Sequence, residues 1–139
     1  MRNQKLIALC LIVLIAFSSV PSYGKAPTLY DMLRKLNKSR ITTLQRSEVV
    51  DEYMGQVVKG DGRIKDILKS FSKEGEAMVY LDKPFKGKRY EVVVAVSRES
   101  AEKLRKGKRI RFEGKFAGIS YETLRFEEGT ITCKAWWLL

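Results

Sequence analysis

The chain contains no histidine among its 139 residues. That excludes His-based triads, His–metal sites and imidazole acid–base chemistry. Cysteine is nearly as scarce, with Cys10 and Cys133 alone. Acids are outnumbered, 16 against 27 Lys and Arg, so the formal net charge is +11. Apolar runs are short except for one, Leu6 to Phe17.

That run follows the basic start Met1-Arg2-Asn3-Gln4-Lys5 and precedes Ser18-Ser19-Val20-Pro21-Ser22-Tyr23-Gly24. This is the layout of a secretory signal peptide, with Ser22 and Gly24 at the −3 and −1 cleavage positions. An uncleaved membrane anchor is the other reading, and the run is short of the ~20 residues a spanning helix needs. Cys10 lies inside the run rather than at its end, so it reads as part of the leader and not as a lipid-attachment site. The expected localisation is periplasmic or secreted. Loss of 1–24 removes Arg2 and Lys5 and no acid, which leaves +9. About 115 residues then remain, enough for one modest core. Only Cys133 survives, so no internal disulfide is expected, and a lone Cys in a strand reads as a small buried hydrophobe.

The mature chain divides into a helical segment, 25–55, and a β-rich segment, 56–139. Thr28 caps a first helix whose Leu29, Met32, Leu33 and Leu36 form one apolar stripe. Thr42-Thr43-Leu44-Gln45 has capping-box spacing and opens a second helix with Val49, Val50, Tyr53 and Met54 facing inward. Gly55 suits its left-handed end. From Gln56 the hydrophobic period changes to two. A long first strand, Val57 to Leu68, is interrupted by Gly60 and Gly62, as a sharply bent barrel strand requires. The second strand alternates Ala77, Val79 and Leu81, and the third runs Tyr90 to Val96. A helix capped by Ser97 follows and is expected to reach Gly107, supported by the Glu99–Lys103 and Glu102–Lys106 spacings. The fourth strand turns Ile110, Phe112 and Phe116 one way, and the fifth places Leu124 and Phe126 inward. A parity slip at Glu127-Glu128-Gly129 predicts a bulge or tight turn.

Two helices followed by β-β-β-α-β-β is the order of a mainly β, five-stranded OB-fold-like Greek-key barrel, with its helix between strands 3 and 4. An SH3-like barrel is the rival, but it has no regular helix at that place. The chain resembles a family of exported bacterial OB-fold proteins described as tRNA-anticodon-binding-like. The resemblance spans 43–134. It rests on Glu52 to Val58, on Gly62-Arg63-Ile64-Lys65-Asp66-Ile67, and on Ser97 to Gly107 leading into Ile110-Arg111-Phe112-Glu113-Gly114. It implies relatives that hold nucleic acid, and it carries over no set of site residues.

Two basic groups are candidates for a site. Lys103, Arg105, Lys106, Lys108, Arg109 and Arg111 form a run without an acid. It reads as an anion-binding patch for nucleic-acid phosphates, anionic polysaccharide, lipid headgroups or an acidic protein, or as a solvated helix end answering the dipole. The other group, Lys83, Lys86, Lys88 and Arg89, lies between strands two and three. OB-folds bind oligomers on the face of those strands. Tyr80, Phe85, Tyr121, Phe71, Lys69, Lys73 and either Tyr90 or Glu91 belong to it by position, mixing stacking rings with cations. The ligand-binding set is Tyr80, Phe85, Lys86, Lys88, Arg89 and Tyr121. The competing arrangement docks the N-terminal helices on outward Met78, Val93 and Ala95, which occludes that face. The end Ala135-Trp136-Trp137-Leu138-Leu139 either closes a barrel mouth or serves as a sticky tail.

Catalysis finds little support in a chain without His, a Gly-rich phosphate motif or clustered metal ligands, and the neighbours Asp61 and Asp66 or Glu127 and Glu128 do not by themselves establish a carboxylate pair at glycosidase separation. No cofactor and no metal are expected. The sequence therefore predicts a non-catalytic binding module for an anionic polymer or surface. The alternative is a protein-interaction scaffold using the apolar stripes and the Trp136-Trp137 end.

Overall fold

The computed structural model describes residues 26–84 and 89–132. The leader at 1–24, Phe85, Lys86, Lys88, Cys133 and the 135–139 end lie outside the described residues. Helices α1 (Leu29–Leu36) and α2 (Thr43–Tyr53) precede strands β1 (Val57–Lys69), β2 (Glu76–Leu81) and β3 (Glu91–Ser97). Helix α3 (Arg98–Glu102) and strands β4 (Arg109–Ser120) and β5 (Thr123–Ile131) complete the order.

Local chemistry starts each helix where the caps predict. The Thr28 hydroxyl accepts from the Asp31 N–H at 3.2 Å, and the four apolar residues of α1 are all buried. At α2 the capping box is reciprocal. The Thr42 hydroxyl accepts from the Gln45 N–H, and the Gln45 side-chain oxygen accepts from the Thr42 N–H. Gly55 follows with φ +79°. Met54, expected to face inward, instead occupies the cap position and is exposed.

The strands close in the order β1-β2-β3-β5-β4, an OB-fold barrel. One strand makes closure possible. The first half of β1, Val57 to Arg63, pairs with β4, and the second half, Ile64 to Lys69, pairs with β2. A register shift between Ile64 and Asp66 marks the bend. Alternation then sorts the side chains. Val58, Ile64, Val79, Val92, Val94, Phe112, Phe116, Leu124 and Phe126 line one interior cluster. Phe126 is its hub, with ring centroids 5.5 Å from both Phe112 and Phe116. The predicted bulge in β5 is present. Glu128 has φ +50°, and registers with β3 and β4 both shift there.

The N-terminal helices dock on β1 and β4, and their apolar residues join the barrel core. Gly60 permits this. A Cβ at that position would stand 2.9 Å from the Leu29 Cβ and 2.8 Å from the Phe112 Cζ. Residues 27 and 28 run beside β1, where the Lys59 N–H donates to the Pro27 carbonyl at 3.0 Å.

Helix α3 is shorter than expected. It ends at Glu102, and 103–108 is a loop. The cause is a long-range one. The Gly107 N–H donates to the Ile64 carbonyl and the Ile64 N–H donates to the Lys108 carbonyl, both at 2.8 Å. These bonds tie the segment to β1 at its bend, and the half-buried Leu104 packs against the core.

Candidate anion-binding site

The outward residues of β1 and β4 face one side of the barrel as a ladder of direct partners. Val57 opposes Lys115, Lys59 opposes Glu113, Asp61 opposes Arg111, and Arg63 opposes Arg109. Lys59 pairs with Glu113 at 3.6 Å, and the Arg109 Nε lies 3.5 Å from the Asp61 carboxylate. Arg63, Arg111 and Lys115 have no ion-pair partner among the described residues. The strip therefore carries five cations against two acids.

At one end of this strip the chain forms a groove of about 690 Å³. Its floor is the Gly60–Arg63 stretch of β1 with Arg109 and Arg111. One wall is the start of α1, with Thr28 and Tyr30, and the other is Asp82-Lys83-Pro84 after β2. The second wall is held in place by the Asp82 N–H, which donates to the Arg63 carbonyl at 2.9 Å. Arg109 and Arg111 thus meet Lys83 of the other basic group. The sequence reading missed Lys59 and Arg63, which complete the set. They are 46 or more positions from β4, and only the strand register brings them there.

The remaining members of the 103–111 run go elsewhere. Lys103 is the C-cap of α3, the one position where the helix dipole accounts for a cation, since that field fades within the last turn. Arg105 and Lys108 are exposed in the loop. Lys106 reaches the Asp66 carboxylate at 3.2 Å. The Ile67 backbone N–H, and secondarily Lys106, hold the Asp66 carboxyl below its ordinary value.

The β2–β3 face has a different character. Its central row runs Asp66, Tyr80, Val93, Arg125 across four strands. Tyr80 is half-buried, and Val93 and Ala95 are buried. Three acids here have partners, while Glu127 and Arg125 on β5 form no ion pair among the described residues. Lys65 meets Glu91 at 3.1 Å, Lys106 meets Asp66, and Lys73 meets Glu76 at 4.0 Å. The two loop aromatics stand at opposite ends of β3. Tyr121 lies in the β4–β5 turn, where the Glu91 N–H donates to the Glu122 carbonyl. Phe71 lies in the β1–β2 loop near Gly75, whose carbonyl accepts from Arg98 at the far end. Both rings are fully exposed. Tyr90 belongs to the core, with the Arg46 guanidinium 5.2 Å from its ring centroid. Arg89 beside it is exposed.

No family model matches the chain, and no curated protein matches it. Solved structures do. A Klebsiella pneumoniae chain described as a "putative nucleic acid-binding lipoprotein" superposes with a TM-score of 0.59 at 14% identity, over 78% of this chain and 92% of that one. An asparaginyl-tRNA synthetase of Entamoeba histolytica matches at a TM-score of 0.40 and 12% identity, over 55% of this chain and 20% of its own. This chain thus spans about a fifth of the synthetase. At these identities the likeness to the lipoprotein is one of fold.

Proposed function

We propose that this protein is a non-catalytic, exported OB-fold module that binds an anionic polymer along the β1–β4 side of its barrel. One observation carries the reading. Cations from three separate segments, β1, β4 and the start of the β2–β3 loop, converge on one groove, while acids answer only some of them. A surface of that kind attracts polyanions and releases their counterions on binding. The description of the Klebsiella chain favours nucleic acid among the polymers. Export rests on the leader-like 1–24 stretch. The scaffold alternative leans on the 135–139 end, which lies outside the described residues.

The test titrates the purified protein at low salt with a single-stranded DNA oligomer, a heparin fragment, and vesicles of phosphatidylglycerol and phosphatidylcholine. Binding to the oligomer or the heparin fragment is expected, falling roughly tenfold or more between 50 and 200 mM salt. Reversing Arg63 and Arg111 to Glu together abolishes it. Reversing Lys65 and Arg125 on the other face changes it little. Absence of binding to both polymers, or equal losses from the two double variants, overturns the proposal.

A further inference from the structure

An open cationic strip is enough to hold a polyanion, and it needs no hollow. The groove at its end is a separate feature, because one wall comes from α1, which is not part of the five-stranded barrel. We propose that this groove takes one nucleotide unit of a single-stranded nucleic acid. The phosphate lies among Arg63, Arg109 and Arg111, and the base lies against Tyr30. The inference rests on the anionic-polymer reading above and names the polymer and its point of seating.

Three observations carry it. The first is size. A groove of about 690 Å³ falls within the range of small-molecule sites and exceeds what a bare phosphate or sulfate needs.

The second is an electrostatic conflict in the floor. Arg63 and Arg109 are direct cross-strand partners on the same face. Like charges so placed destabilise a sheet. Asp61 pairs with Arg109 at 3.5 Å from a well-exposed position and also stands opposite Arg111, so two acids of the lining, Asp61 and Asp82, are shared among its cations, and Arg63 and Arg111 form no ion pair among the described residues. A phosphate between the guanidinium groups relieves that repulsion and suits their planar, forked donors.

The third is the wall. Tyr30 is 57% exposed beside the groove, with the Arg34 guanidinium 5.8 Å from its ring centroid. An aromatic ring with a guanidinium next to cations is a platform for base stacking along a phosphodiester backbone. A sulfated polysaccharide answers the cations but offers no base to stack. The site also lies away from the β2–β3 face, so it is distinct from Tyr80 and Arg125.

The experiment measures anisotropy of a labelled oligothymidylate of about eight nucleotides, competition by a heparin fragment, and thermal melting of each variant. Tyr30→Ala is expected to weaken oligomer binding about fivefold or more, the low end for one base–aromatic stack, and Tyr30→Trp to restore it. Heparin affinity stays within twofold in both. Arg63→Gln is expected to raise the melting temperature of the free protein by roughly 1–4 °C, since it removes the like-charge pair, and to shrink the rise that the oligomer produces. If Tyr30→Ala leaves oligomer binding unchanged, or weakens heparin equally, the nucleotide inference is overturned while the anionic-polymer reading stands. If the Arg63 and Arg111 reversal also leaves both ligands bound, both readings fall together.

Discussion

Two outward surfaces of one barrel differ in how their charges are settled. On the β2–β3 face, the cations Lys65, Lys73 and Lys106 each sit within 4.0 Å of a carboxylate, and Arg125 in its central row has none among the described residues. Its middle is filled by Val93 and Ala95, both buried. On the β1–β4 side, Asp61, the partner of Arg111 across the strands, forms its ion pair with Arg109 instead, and Arg63 faces Arg109 directly. A sheet gains nothing in stability from such a pairing. Most charges of the first surface are paired, and the second keeps a like-charge pair that an anion, bound as proposed, would relieve. The exposed rings at Phe71 and Tyr121 belong to the first surface, but the direct pairing of two like charges is on the second.

The largest disturbance breaks both surfaces together. Phe126 contacts both Phe112, whose strand carries Arg111 and Glu113, and Phe116 further along it. It also pairs with Val94 in β3. Phe126→Ala is expected to lower stability by about 3–5 kcal/mol. Urea unfolding measures it, and both polymer binding and the near-UV spectrum should be lost in one transition. Separate transitions for the two halves of the sheet would show that the surfaces do not share a floor.

A smaller change separates the surfaces. Gly60 is the point where α1 rests on the barrel, with Leu29 and Phe112 both within 2.9 Å of the position a Cβ would take. Both obstacles sit in the packed core, so neither gives way easily. Gly60→Val is expected to lower stability by about 1–3 kcal/mol through overpacking. Because α1 forms a wall of the groove, oligomer affinity should fall further than stability alone accounts for. The Lys65–Glu91 and Lys106–Asp66 contacts lie on the far side and should persist in crystals of the variant.

The same contrast explains what the sequence showed and what it hid. Features set within four or five residues were legible, including the caps at Thr28, Thr42 and Ser97, the stripe of α1, the period-two strands and the slip at Glu128. The barrel followed from their order. Features set by pairing across the chain were hidden. The helix after β3 stops at Glu102 because Gly107 and Lys108 bond to Ile64, more than 40 positions earlier. The expected run of six cations is divided, with Lys106 turned to Asp66 and Arg109 and Arg111 taken into the groove. Nothing local to Lys59 or Arg63 marks them, and only their partners in β4 place them in the groove. The possibility that the N-terminal helices cover Met78, Val93 and Ala95 is replaced by docking on β1 and β4. Choosing between those surfaces requires the three-dimensional placement of α1, and its stripe alone does not specify it.

The smallest effect concerns Asp66 and sharpens the comparison from the other side. Its carboxyl accepts from the Ile67 N–H at 2.9 Å and pairs with Lys106, and both interactions hold its pKa below the ordinary carboxylate value. A carboxyl depressed in the folded state contributes stability that is full above its unfolded value. That contribution is lost as the pH falls through the lower folded value. Wild-type protein should therefore lose this contribution only on strongly acidic titration, and Asp66→Asn should show a flatter acid limb in melting temperature against pH. At neutral pH the same variant leaves Lys106 unpaired and makes the β2–β3 face more basic. If the polymer seats on the β1–β4 side, its affinity should barely change, because Lys106 is not among the groove residues. A clear gain in affinity would mean that settled charge on the β2–β3 face, and not its geometry, is what keeps the polymer away.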